Sequence, residues 1–243
     1  MAGGMLLGEL YPVAAREAPP DPFEETEGFA IGASAGTLSL PAGAPDRRTP
    51  AVIILQDGTQ PDGRASLYTD QLLRAGLAVL EMVHLSDNNL EPVLTALVLH
   101  ARVAGQPLGV LGFGAGARLA AEWSGPMGAR ALLYPGCPGL VPAAMRGEAV
   151  LLMYGAADPA NEPSACARLG QAMGTSGAVV QMRVFDRATY AWDRPAFPGD
   201  GPALLARPDS LGRVVSAAWP ELTALSASEV TWFFATSLLG RQR

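Results

Sequence analysis

The fold is decided by residues 107–123, Pro-Leu-Gly-Val-Leu-Gly-Phe-Gly-Ala-Gly-Ala-Arg-Leu-Ala-Ala-Glu-Trp. The apolar run 108–111 has the length of a buried strand, and the residues from Ala115 onward follow a helical pattern. Between them stand Gly112, Gly114 and Gly116, which suit a tight turn because glycine adopts positive φ and lets two backbones approach closely. The stretch therefore predicts a strand, a sharp turn and a helix.

Similar units occur on both sides of this stretch. We predict strands at 51–55, 77–83, 108–111, 129–134, 149–154 and 179–185. We predict helices from Asp62 to before Gly76, from Asp87 to about Val103, at 115–123, from Asn161 to Gly174, and from a capping box at 226–229 to Gly240. Strands that are apolar on both faces and alternate with helices form a mostly parallel sheet covered on both sides. We therefore predict one α/β domain at 29–243, after an irregular, proline-rich and acidic segment at 1–28.

The composition excludes several classes of protein. With 49% hydrophobic and 16% charged residues, the chain of 243 residues has enough apolar side chains for a large core. A net charge of −6 without a basic cluster argues against nucleic acid or a membrane surface as a partner. All 17 basic residues are arginine, a bias that we attribute to a GC-rich bacterial genome, and this excludes lysine Schiff-base chemistry. No segment has the pattern of a membrane span or secretory signal, so we expect a cytoplasmic protein.

The candidate site lies where the strands end, because the carboxyl-end loops of parallel strands usually form the ligand site. The candidate residues in these loops are Gln56, Asp57, His84, Gly114, Cys137, Asp158 and those at 186–194. Cys137 and Cys166 are too few for a disulfide framework or a metal knuckle, so we expect two reduced, half-buried thiols. The sequence predicts neither a metal site nor a cofactor.

Two glycine-rich segments are similar to the turn G-x-S-x-G, in which a serine or cysteine nucleophile stands between a strand and a helix. Residues 112–116 have the correct flanking pattern, but the central residue is Gly114. Residues 32–36 contain a literal match with Ser34 at the centre, but an alternating strand pattern follows instead of a helix. We therefore interpret residues 32–36 as a β-turn, with no catalytic role for Ser34.

Over about residues 30–240, the chain resembles the dienelactone hydrolase family of α/β-hydrolases. The resemblance implies an α/β-hydrolase fold with the catalytic nucleophile, acid and histidine at Gly114, Asp158 and Tyr190. Only Asp158, in Gly-Ala-Ala-Asp-Pro at 155–159, agrees with the family pattern. The resemblance also places oxyanion donors at the Ala115 amide and in the loop of Gln56. From the loops at the strand ends we expect a pocket that contains Asp57, His84, Cys137, Trp192 and Arg194. The resemblance implies that Arg194 could hold a substrate carboxylate in this pocket.

These replacements affect the chemistry directly. Glycine has no nucleophilic atom, and a phenol with a pKa near 10 is a poor substitute for an imidazole near 6.5. The leading hypothesis is a protein with a degenerate triad that binds a small ligand or a protein partner. The alternative is an active hydrolase of small esters or lactones, or a lyase, that uses His84, Asp57 or Tyr190 through water. We further expect the Tyr190 hydroxyl to donate to Asp158, and Gly114→Ser combined with Tyr190→His to restore weak hydrolysis.

Overall fold

Eight strands form one mixed sheet in the computed structural model, which describes residues 23–43, 47–58, 61–197 and 199–240. The strands are β1 Phe23–Ile31, β2 Ser34–Pro41, β3 Ala51–Leu55, β4 Ala78–His84, β5 Leu108–Phe113, β6 Ala129–Leu133, β7 Ala149–Gly155 and β8 Val179–Phe185. Their order is β1-β2-β4-β3-β5-β6-β7-β8, with β3 to β8 parallel and β1 and β2 antiparallel. The predicted mostly parallel α/β sheet is confirmed.

Helices cover both faces of this sheet. They are α1 Ser66–Arg74, α2 Glu91–Leu99, α3 Ala115–Glu122, α4 Pro163–Thr175 and α5 Pro220–Phe234, which continues as a π-helical turn at Ala235–Leu239. A 3₁₀ turn at Ser86–Asn88 precedes α2, and a separate hairpin of β9 Ala203–Ala206 and β10 Arg213–Ser216 precedes α5. Helices α2, α3 and α4 pack on one face, and α1 and α5 pack on the other. Strand β3 is buried on both faces, as its unbroken apolar sequence predicts.

The amino-terminal boundary differs from the prediction. Strand β1 begins at Phe23, so residues 23–28 belong to the sheet and not to an irregular segment, whereas residues 1–22 lie outside the described residues. Pairing with β2 explains this, because a strand partner satisfies the backbone of an otherwise polar segment. The turn interpretation of residues 32–36 is confirmed at residues 32 and 33. Ser34 is buried, and its hydroxyl oxygen accepts the Ser86 N–H at 3.0 Å.

Three predicted helix starts are wrong. Helix α1 follows Ala65, because the Asp62 carboxylate is bound by the Arg64 side chain and backbone. Helix α2 begins at Glu91, whose N–H donates to the Asn89 side chain at 3.0 Å. Helix α5 begins at Pro220, a residue that suits a first helical turn.

Within the described ranges, no helix has the length and apolar character needed to cross a membrane.

Candidate functional site

The turn after β5 keeps the geometry that the three glycines predict. Gly114 has φ 49° and ψ −113°, a conformation that is strained for residues with a side chain. A Cβ at Gly112 would overlap the backbone of Ala117, and a Cβ at Gly116 would overlap the carbonyl of Leu55. The flanking glycines therefore allow α3 to pack directly against the strand ends.

The space above Gly114 is filled by two other side chains. A Cβ built on Gly114 would overlap the Asp57 carboxylate and the Tyr190 hydroxyl. Asp57 comes from the loop after β3, and Tyr190 comes from the loop after β8. Two neighbouring side chains thus meet at the position where a nucleophile would project.

Asp57 is held by three donors. Its Oδ1 accepts the Ala115 N–H at 3.0 Å, and its Oδ2 accepts the Tyr190 hydroxyl at 2.7 Å and Arg64 Nη1 at 3.2 Å. The side chain of Asp57 is only 9% exposed. The first backbone amide of α3, which was expected to serve an oxyanion, is therefore already bound to a carboxylate.

The prediction that the Tyr190 hydroxyl donates to Asp158 is wrong, because this hydroxyl donates to Asp57 instead. The Asp158 carboxylate accepts the Ala160 N–H at 2.9 Å and Asn161 Nδ2 at 2.8 Å. Burial raises the pKa of Asp158 to about 6, although the Asn161 hydrogen bond acts in the opposite direction. Both oxygens of Asp158 therefore serve the turn that leads into α4.

Asn161 connects this turn to the loop after β6. Its Oδ1 accepts the N–H of Gly136 at 2.8 Å and that of Cys137 at 3.3 Å. Cys137 forms a disulfide with Cys166 of α4, with a Cα–Cα distance of 5.0 Å. The expectation of two reduced, half-buried thiols is therefore wrong, since the fold brings the two residues together and buries both.

Burial and the neighbouring Asp57 carboxylate raise the pKa of Tyr190 well above its usual range. Both factors disfavour a phenolate, burial through desolvation and Asp57 through its negative charge. Tyr190 is accordingly a hydrogen-bond donor at neutral pH and not a proton acceptor.

A buried polar network continues from Arg64 and was not predicted from the sequence. Arg64 Nη1 donates to the Tyr134 hydroxyl at 3.1 Å, and Tyr134 donates to Asp193. Asp193 also accepts the Tyr68 hydroxyl at 2.9 Å, and Tyr68 lies 2.8 Å from the Ser226 hydroxyl. Burial raises the pKa of Asp193, while Arg64 and the two tyrosine hydroxyls oppose that shift. The only sequence signal would have been Tyr68 in an otherwise apolar helix face, which indicates burial but names no partner.

An open cleft of about 470 Å³ lies beside the turn. Its walls come from the ends of β3 and β4, the first two turns of α3, and the tip of the β9–β10 hairpin. The lining residues are Leu55, Gln56, Gly58, Met82, Val83, His84, Leu85, Asn88, Ala115, Gly116, Arg118, Leu119, Glu122, Pro208 and Ser210. The cleft is thus lined by both apolar and polar residues.

Of the five predicted pocket residues, His84 lines the cleft. Asp57 and Cys137 are held in the contacts described above, and neither lines it. Trp192 is fully buried in the core, where its indole N–H donates to Ser226 at 3.3 Å. Arg194 donates to the carbonyl oxygens of Pro195 and Gly201, because its loop folds back on itself.

Gln56 lines the cleft, but its side-chain amide donates to Glu81 at 2.7 Å. Among the residues that the structure describes, no group of three or more His, Cys, Asp or Glu side chains is placed to hold a metal ion.

Solved structures share this arrangement of sheet, turn and helices. The structural alignment with a carboxyl esterase from the fungus Tuber melanosporum spans 94% of this chain and 90% of the esterase, with a TM-score of 0.61 and 12% sequence identity. The chain has the α/β-hydrolase fold. A second alignment spans 86% of this chain and 98% of a protein from Klebsiella pneumoniae that is assigned as a dienelactone hydrolase. Its TM-score is 0.64 and the sequence identity is 16%.

A third similar structure, an esterase from Pyrobaculum calidifontis, covers 88% of each chain with a TM-score of 0.60 and 13% identity. No protein-family model matches the chain, and a sequence search of curated proteins finds no match. At identities this low, the comparisons establish the fold alone.

Proposed function

We propose that this α/β-hydrolase-fold protein lacks hydrolytic triad chemistry and binds a small ligand in the cleft beside Gly114. The observation that carries the proposal is the position of Asp57 and Tyr190, whose polar ends fill the space above Gly114. A substrate carbonyl has neither an attacking atom nor a free Ala115 amide at this place.

The electrostatics support the same proposal. An oxyanion is stabilised by donors that point at the place where negative charge develops. At this turn, the Ala115 amide, Tyr190 and Arg64 all bind the Asp57 carboxylate, which itself carries negative charge. A second anion at the same position would be repelled by Asp57.

Rewired catalysis through His84, Asp57 or Tyr190 has weaker support. Asp57 has its oxygens bound by three donors, and Tyr190 is a protonated donor because of its raised pKa. His84 is exposed at the end of β4 and lines the cleft. Of the three, His84 alone has a side chain free to meet a ligand in that cleft.

The cleft supports ligand binding by its size and lining. Sites for small molecules usually measure about 300–1,000 Å³ and combine apolar walls with a few polar groups. Here Leu55, Met82 and Leu119 supply apolar surface, while His84 and Asn88 supply hydrogen-bonding groups. This composition fits a small organic molecule with an apolar body and a polar end.

Turnover of small activated esters and lactones tests the loss of catalysis. We expect the native protein to hydrolyse these substrates no faster than buffer without protein. The hydrolysis rates of Asp57→Ala and Asp158→Ala should equal that of the native protein. A native rate clearly above background that Asp57→Ala or Tyr190→Phe abolishes would contradict the proposal and favour rewired catalysis.

A matched pair of variants tests ligand binding in the cleft. Val83 lines the cleft and is 42% exposed, whereas Val98 is 44% exposed on α2 and does not line it. A ligand screened by thermal shift should stabilise the native protein and Val98→Trp, but not Val83→Trp, in which the indole fills the cleft. At a ligand concentration of about 100 times Kd, the expected stabilisation is about 2.7 kcal/mol. Equal stabilisation of both variants would place the ligand elsewhere.

A further inference from the structure

The loop that follows β6 is fixed by a covalent bond as well as by hydrogen bonds. It comprises residues 135–139, Pro-Gly-Cys-Pro-Gly, and is called the 135–139 loop below. The disulfide from Cys137 to Cys166 joins it to the start of α4. The side chain of Asn161 accepts two of its N–H groups. The disulfide has no part in the proposed ligand binding so far, although it anchors this loop.

The 135–139 loop supports two residues that line the cleft. Its carbonyl oxygens at Gly136 and Gly139 accept Arg118 Nη1 and Nη2 at 3.0 and 3.5 Å. Pro208, at the tip of the β9–β10 hairpin, packs so closely on Gly136 that a Cβ at this glycine would overlap the proline ring. Arg118 belongs to the α3 wall of the cleft, and Pro208 belongs to the hairpin wall. A shift of the loop therefore affects both walls.

Reduction of the disulfide would shift this loop. Two sulfur atoms that are no longer bonded must move apart to van der Waals distance. Both cysteines are buried, so one of the two segments that carry them has to move. Cys166 lies in a helix of 13 residues, whereas Cys137 lies between Gly136 and Gly139, which both have positive φ. The glycine-containing loop is the more adaptable segment and is the one that should move.

We propose that the Cys137–Cys166 disulfide is a redox switch for the ligand cleft. The oxidised form fixes the 135–139 loop and with it both cleft walls, and reduction by a dithiol releases them. This inference rests on the ligand cleft proposed above.

The exchange with a dithiol balances in two steps. Pro138 is half-buried and Gly139 is exposed, so a small opening of the loop admits a thiolate to Cys137 Sγ. Its attack breaks the protein S–S bond, forms a mixed disulfide with Cys137 and releases the Cys166 thiolate, which takes up a proton. The second thiol of the reductant then displaces Cys137 as a thiol. The reductant is oxidised to a disulfide, and two electrons and two protons have passed to the protein.

The oxidised form should be the one with the higher ligand affinity. A ligand binds more tightly to walls that are already in place than to walls that it must order. The hydrogen bonds of Asn161 do not depend on the disulfide, so the fold should persist in the reduced form. Reduction should therefore lower the affinity of the cleft without unfolding the protein.

Fluorescence titration with Nile red, an uncharged dye with an apolar body and a polar carbonyl end, tests the switch. We expect its Kd for the native protein to rise about fivefold or more in dithiothreitol, the lower end of common couplings between two sites. Cys166→Ala cannot form the disulfide and should match the reduced native protein with or without dithiothreitol. Val83→Trp should bind the dye weakly in both states, because the indole fills the cleft.

Labelling of free thiols and thermal unfolding accompany the titration. Two reactive thiols in each chain show that the native protein has been reduced. A Kd that stays the same after this reduction overturns the proposal. Failure of dithiothreitol to reduce the folded protein also overturns it, and so does unfolding on reduction, since the disulfide would then be a structural bond only.

Amide hydrogen exchange tests the loop without a ligand. We expect the N–H groups of Gly136 and Cys137 to exchange about tenfold faster after reduction, while Leu132 in the centre of β6 is unchanged. Equal exchange in both forms overturns the proposal, because the loop would then be independent of the disulfide. If Nile red binds neither form, the proposed ligand cleft is contradicted, and the exchange rates alone decide whether the disulfide controls the loop.

Discussion

Two buried arginines mark opposite ends of the sheet and have different kinds of partner. Arg130, at the amino end of β6, donates to the carbonyl oxygens of Trp123 and Gly125 at 2.7 and 2.9 Å, and it pairs with Glu148. Arg64, at the carboxyl end, binds Asp62, Asp57 and Tyr134 through side-chain atoms. Arg130 thus binds backbone carbonyl groups at the end of a helix. Arg64 instead binds side chains that are grouped around Gly114.

This difference explains how one end of the sheet can change its chemistry while the fold persists. Backbone carbonyls at the end of α3 need a donor whatever the sequence, so Arg130 completes the architecture. The groups around Arg64 are the ends of side chains from several loops, and each can be replaced separately. The two arginine centres should therefore respond differently to substitution.

The largest effect is expected at Arg130. Arg130→Met leaves the Glu148 carboxylate and several carbonyl oxygens buried without their partner, which should cost about 3–5 kcal/mol of unfolding free energy. Arg64→Met should cost less, about 1–3 kcal/mol, because Asp57 keeps its bonds to Ala115 and Tyr190. Urea unfolding of both variants measures the difference, and an equal loss would contradict the distinction.

Asp158 should give the carboxyl end a pH dependence. Its folded-state pKa of about 6 lies above the unfolded value, so its contribution to stability is complete below about pH 4 and is lost as the pH rises through 6. In Asp158→Asn this loss is absent. Between pH 4 and 7, the stability of the native protein should therefore fall by roughly 2–4 kcal/mol relative to the variant. A constant difference between the two proteins across this range would refute the prediction.

The sequence predicted much of the fold, and the reason is visible at β8. Its apolar, β-branched run was predicted at 179–185, where the strand lies, because local pattern determines such segments. The resemblance to the dienelactone hydrolase family also placed Tyr190 at the same site as Gly114, and the structure brings the two residues together. The bond from Tyr190 to Asp57 and the link from Tyr68 to Asp193 join residues 133 and 125 positions apart. Such partners leave no local pattern, and the Cys137–Cys166 disulfide was missed for the same reason.

A smaller effect is expected when Asp57 is shortened. Asp57→Ala frees the Ala115 amide, the Tyr190 hydroxyl and Arg64 Nη1, which together make a site for a carboxylate. Added acetate should raise the unfolding free energy of this variant by about 1 kcal/mol and leave the native protein unchanged. Chloride at equal ionic strength is the control, and equal stabilisation by both salts would indicate a nonspecific effect.

The smallest effect is expected from rebuilding the triad. The sequence suggests that Gly114→Ser with Tyr190→His restores weak hydrolysis. In that double variant, however, the Ala115 N–H still donates to the Asp57 carboxylate and is not available to an oxyanion. We therefore expect the double variant to be inert, and the triple variant with Asp57→Ala to hydrolyse an activated ester slightly above background. Hydrolysis by the double variant equal to that of the triple would show that Asp57 is no obstacle.

The aromatic packing around Trp192 gives this end of the sheet an optical signature. The buried indole lies edge-on to Tyr134, with ring centroids 4.9 Å apart, and to Phe185 at 5.4 Å. Fixed aromatic packing gives near-ultraviolet circular dichroism that disappears when side chains lose their fixed positions. Trp192 is one of four tryptophans, so the difference between the near-ultraviolet spectra of the native protein and of Trp192→Phe isolates the signal of this packing beside Tyr134.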